Sequence, residues 1–110
     1  MIEGDPATQH LVAQRRQAAE GRLEEAVGAG GSLCAIGRGR QSFPAVKYHE
    51  GAVAALMEVQ RGSDPTEVLA RWRDAARSRL AQAPDWAAYR AGGVDEITGL
   101  LENLDTDRDR

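Results

Sequence analysis

The chain is poor in the residues that cross-link, span or stack. It has one cysteine among its 110 residues, so an intrachain disulfide and a cysteine-built zinc site are excluded. It has five aromatic residues of the Phe, Trp and Tyr type, and a single lysine beside thirteen arginines. No apolar run approaches the ~18–20 residues that cross a bilayer. The first residues lack the cationic-then-apolar order of a secretory leader, so a cytoplasmic protein with no membrane contact is expected. The net charge of −3 excludes a histone-like, generally cationic binder. Bulky aliphatics are scarce as well. Leu, Ile, Val and Phe together number 20, against 19 alanines. Alanine lets helices approach closely but brings little apolar area per side chain. A chain of this size already leaves much of its surface uncovered. Burial is therefore expected to finish against a second copy, a homodimer being favoured, or against another protein.

What is present is helix punctuation. Asp5-Pro6 opens a first helix, with a capping carboxylate followed by a residue whose missing N–H costs nothing in the first turn. Thr8, Val12, Ala19, Leu23 and Ala26 share its apolar face, flanked by Arg15 and Arg16 with their heads in water, and Gly28, Gly30 and Gly31 end it. Pro44 opens a second helix that runs to about Arg61 and stops at Gly62, with Val46, His49, Val53, Leu56 and Met57 on its apolar side. Ser63-Asp64-Pro65 starts a third, with Glu67 in the first turn and a stripe of Val68, Leu69, Trp72, Ala75, Ala76, Leu80 and Ala83. Asp85 caps a short helix carrying Trp86 and Tyr89, which Gly92-Gly93 should break. A last helix covers about Val94 to Leu104, spaced by Val94, Ile97, Leu101 and Leu104, and residues 105–110 form a solvated tail.

The expected fold is all-α: one domain over 1–104, an antiparallel bundle of four main helices plus one short helix. Segment 33–43 reads either as a short β-hairpin or as an ordered loop. No internal repeat stands out. The stretch YHEGAVAALMEVQR has the composition of small helical proteins of GC-rich bacteria and their phages, and it points to no family.

Several residue groups could carry chemistry, and each has a structural alternative. His49, Glu50 and Arg79 are polar on apolar faces, and burying an unpaired charge is costly. Glu50 and Arg79 should therefore meet in an ion pair or line a common cleft. His49 could serve as a general base, or as a hydrogen-bonded core residue. Cys34 is a nucleophile only with a base beside it; otherwise it is a small buried apolar group. Two histidines without helical ligand spacing suggest no metal, and nothing in the sequence calls for a cofactor.

Arg38 and Arg40 in the glycine-rich segment, with Arg73 and Arg77 four apart on the third helix, could contact a nucleic acid or another polyanion. The favoured alternatives are that Arg38 and Arg40 solubilise a flexible turn and that Arg73 and Arg77 pair with acids of the first and last helices, as Glu67 does with Arg71. Trp86, Tyr89, Leu101 and Leu104 are the expected interface residues, because large amphipathic rings are favoured at subunit boundaries. The leading expectation is a non-enzymatic, self-associating helical interaction module acting as an adaptor, regulator or accessory subunit. The alternatives are a polyanion-binding regulator and a small enzyme or ligand binder.

Overall fold

The computed structural model describes residues 6–29, 44–75 and 84–108. Among them lie four helices: α1 (Pro6–Ala29), α2 (Pro44–Gln60), α3 (Pro65–Asp74) and α4 (Pro84–Arg108). The fold is an all-α bundle, as the sequence pattern implies, and no strand occurs among the described residues. The chain's four prolines each occupy the first position of one helix, where φ is already suitable and no donor is lost. The segment 33–43, with its alternative of hairpin or loop, lies outside the described residues. So do Ala76, Leu80 and Ala83 of the third helix's expected stripe.

The turn between α2 and α3 is fully specified by local chemistry. Gly62 N–H donates to the Val59 carbonyl (3.0 Å) and Ser63 N–H to the Glu58 carbonyl (3.1 Å). This paired closure needs a left-handed residue after the helix, and Gly62 supplies it with φ of 112°. Asp64 then caps α3, its carboxylate accepting from the Glu67 N–H at 3.3 Å.

Helix α2 packs mainly against α4, while α1 lies on α2 and α3 on α4. The expected break at Gly92-Gly93 does not occur; α4 runs through both glycines. The reason is tertiary. A Cβ on Gly92 would stand 3.1 Å from the Tyr48 Cα and closer still to its carbonyl, and a Cβ on Gly93 would overlap the Trp72 ring. Glycine costs about 1 kcal/mol in a helix relative to alanine. Here it permits a contact that no side chain would allow.

The same applies to Gly51 on α2. A Cβ there would lie 3.1 Å from the Tyr89 Cα. Gly51 faces Tyr89 and Gly92 faces Tyr48, so the two helices cross antiparallel, backbone against backbone.

This crossing exposes a repeat that is not obvious in the sequence. Tyr48-x-x-Gly51-Ala52-Val53 is matched 41 positions later by Tyr89-x-x-Gly92-Gly93-Val94, and Leu56 and Val59 by Ile97 and Leu100. Burial follows the same register. On α2, Gly51, Ala52, Ala55, Leu56 and Val59 are buried; on α4, Gly92, Gly93, Glu96, Ile97 and Leu100 are. Exchanging α2 for α4 turns each main contact into the other, which is a local two-fold relation.

The buried face of α2 is consequently rotated from the expected one, toward its small residues. Val46, His49 and Met57 are only half-buried. On α1, Thr8, Val12 and Ala19 are buried as the pattern implies, while Leu23 and Ala26 are only half-buried. The core is thin: its largest fully buried side chains are Leu56, Ile97, Leu100, Val12 and Val68.

Candidate functional site

Two polar or aromatic assemblies stand out on this frame. The first is an ion-pair cluster between α1 and α4. Glu96 is 7% exposed, at the α4 position that matches Ala55 on α2. Its carboxylate takes the Arg15 guanidinium on one oxygen and the Arg22 guanidinium at 3.2 Å on the other. Arg15 also donates to Asn103 Oδ1 at 3.2 Å. Gly99 leaves the room this needs, since a Cβ there would stand 3.3 Å from the Arg15 Cζ.

Arg15 therefore does not keep its head in water. Four residues advance 400° around a helix, so Arg15 lies within about 40° of the buried Ala19 and points into the seam. A buried carboxylate without partners would be strongly unfavourable, and two guanidinium forks remove that penalty. Arg16, one residue on, donates to Glu20 of its own helix (3.3 Å) and across to Gln60 of α2 (2.6 Å), so it too has its head on a partner.

The second assembly is a ladder of three rings. Trp72 on α3 stacks on Tyr89 of α4 with centroids 5.3 Å apart and planes 24° from parallel. Trp86 meets Tyr89 edge-on at 5.5 Å and 79°. Trp72 is anchored from beneath by Glu58, whose Oε2 accepts the indole N–H at 2.9 Å. Arg71 reaches the other oxygen of Glu58 at 2.8 Å. Arg71 thus turns to α2 rather than to Glu67. Trp86 is 52% exposed, the one large hydrophobic so placed among the described residues. Burial is the main cause that pushes the Tyr89 hydroxyl above its ordinary pKa, with the carboxylates of Glu50 and Glu58 adding to it and Lys47 opposing.

A third tie crosses the glycine contact itself. Tyr48 donates its hydroxyl to Asp95 Oδ2 at 2.5 Å, and that hydrogen bond, with a smaller part from burial, raises the phenol to about 12.

The residues singled out in the sequence are distributed as follows. Glu50 pairs with Lys47, one turn before it on the same helix, at 3.1 Å. Arg79, its expected partner, lies outside the described residues, as do Cys34, Arg38, Arg40 and Arg77. His49 meets the Tyr48 ring edge-on (5.4 Å, 87°), and its Nδ1 is buried with no hydrogen bond. The carboxylate that would orient a histidine base is therefore not on that nitrogen. Arg73 is exposed on α3. Leu101 and Leu104 pack against the core from its edge, and Tyr89 is held between the two tryptophans.

Among the described residues no group of three His, Cys, Asp or Glu side chains could hold a metal ion, and no helix is long and apolar enough to cross a membrane.

Glu96 is hidden in the sequence because the stripe Val94, Ile97 and Leu101 is phased one residue later than the buried face. The buried set is Gly93, Glu96, Ile97 and Leu100. The signal that would have found it is the Tyr-x-x-Gly repeat, which aligns Glu96 with Ala55. Comparison with known protein families, with curated proteins and with solved structures gives no match to this chain.

Proposed function

We propose that the protein is a non-enzymatic helical interaction module, an adaptor, regulator or accessory subunit, that pairs with a second copy of itself through a contact centred on Trp86. The observation that carries this reading is the half-exposed Trp86 ring held at the end of the Trp72–Tyr89–Trp86 ladder. An aromatic ring that is already ordered loses little entropy on docking, and buried tryptophans dominate interface energies. The thin core adds weight: three of its ten hydrophobic members are alanine, so further apolar burial would stabilise the fold. A two-fold contact brings the same patch to both sides.

Two buried or half-buried carboxylates support the same reading by being engaged elsewhere. Glu96 is held by two arginines and Glu58 by Arg71 and Trp72, which is what structural ion pairs look like. His49 and Glu50 are neighbours in sequence that do not act on one another through any observed bond.

Sedimentation equilibrium tests the proposal. The wild-type chain at tens of micromolar should run as a dimer, and Trp86→Ala, purified natively and never refolded from denaturant, should run as a folded monomer of unchanged helicity. A wild-type chain that stays monomeric at these concentrations contradicts it.

A further inference from the structure

The antiparallel crossing of α2 and α4 is a contact between two equivalent surfaces. Each helix offers tyrosine, a glycine three residues on, a small residue, a valine, and then Leu56 with Val59 or Ile97 with Leu100. The buried positions coincide at a constant spacing of 41. Each helix also carries its own companion, α1 on α2 and α3 on α4. The molecule thus consists of two helical halves, joined only by the short turn Arg61–Asp64 and held together largely across one interface.

We infer that these halves can be exchanged between two copies of the chain, α2 of one copy seating on α4 of the other. This goes beyond the Trp86 contact and does not depend on it. The exchanged dimer keeps the α2–α4 crossing, keeps α1 on α2 and α3 on α4, and makes the Glu96 cluster and the bonds of Glu58 between chains. The one element that must change is the turn. Exchange of identical elements costs little when a single short connection differs between the closed and open forms. That connection holds Gly62 at φ of 112°, a conformation L side chains rarely adopt. No neighbour lies within 4 Å of a Cβ built there, so a substitution at Gly62 strains the turn without a steric clash.

The test uses the full chain carrying Trp86→Ala, so that any remaining dimer does not arise from the Trp86 contact. Into it Gly62→Ala is introduced. Each closed turn is strained by the added Cβ, and two are relieved per exchanged dimer. With roughly a tenfold penalty per turn, the dimerisation constant should rise about a hundredfold.

Isotope-labelled and unlabelled chains are then unfolded together, refolded and examined for contacts between molecules. The expected result is an intermolecular nuclear Overhauser effect between Gly51 and Tyr89. If Gly62→Ala does not fold, the Trp86→Ala chain refolded at high concentration gives the same readout. Refolded material that remains monomeric, or a dimer lacking the Gly51–Tyr89 effect between molecules, overturns the inference. Loss of the Trp86 contact in the wild type would leave this result untouched.

Discussion

Helix α4 is held in two different ways along its length. Against α2, the contact is made by the near absence of side chains: Gly51 and Gly92 let one backbone rest on the other. Against α1, it is made by long ones: Arg15 and Arg22 reach over to a buried Glu96. The first contact depends on shape and gains dispersion at close range. The second depends on charge, and its net worth is the attraction left after desolvation.

The difference also separates fold from orientation. The α2–α4 contact is two-fold in its pattern, so alone it would not tell α1 which side to choose. Glu96, standing where α2 has Ala55, breaks that equivalence and gives the arginines of α1 a unique partner.

The comparison can be broken hardest at the glycines. Gly51→Leu or Gly92→Leu places carbon atoms inside the opposing backbone. Either should cost about 3 kcal/mol or more, as overpacking of a tight contact does at its upper end. Urea unfolding measures this, and a loss below about 1 kcal/mol would show that the helices are not so close.

The arginine seam should break more gently. Arg15→Ala leaves Glu96 with one partner; because Arg15 is 24% exposed, the loss should be about 2 kcal/mol, less than for a fully buried pair. Arg22 is 47% exposed, so Arg22→Ala should cost well under half of that. Adding Glu96→Ala to Arg15→Ala should recover part of the loss, since the carboxylate is then gone. Thermal melts that rank Arg22→Ala above Arg15→Ala would reverse this assignment.

A glycine outside the crossing sharpens the point in the opposite direction. Gly21 lies in α1 with nothing within 4 Å of a Cβ built on it. Gly21→Ala should therefore stabilise the fold by up to about 1 kcal/mol, read as a raised unfolding midpoint.

The smallest perturbation is titration of the tyrosine that bridges the crossing. In Tyr89→Phe, ultraviolet absorbance should show Tyr48 ionising at about 12, and adding Asp95→Asn should bring it back toward 10. The raised value means that the hydrogen bond favours the neutral phenol. Its contribution to stability is full below the ordinary tyrosine pKa and is lost as pH rises through about 12. Titration near 10 in the presence of Asp95 would show that the bond does not form.

The parts of this architecture that were legible in sequence are those set by local chemistry. Pro65 after Asp64, with Gly62 just before, marks a helix stop and a helix start without reference to the rest of the chain. The buried Thr8, Val12 and Ala19 follow from periodicity alone. The parts that were not legible depend on a partner helix. Gly92-Gly93 looks like a breaker until the Tyr48 backbone and the Trp72 ring occupy the space beside it. Arg15 looks like a flanking surface residue until a carboxylate is brought opposite, across 81 residues of chain. Trp86 is expected at an interface from the size and amphipathic character of its ring. Its ring is half-exposed, and Leu101 and Leu104 pack against the core from its edge.

The most direct test of the central proposal follows Trp86 itself. In a Trp72→Phe chain, Trp86 is the sole tryptophan, and its quenching by acrylamide can be followed as the protein is diluted from hundreds of micromolar to below one. The ring should be shielded at high concentration and become quenchable on dilution, with helicity unchanged. Equal quenching at every concentration would contradict it.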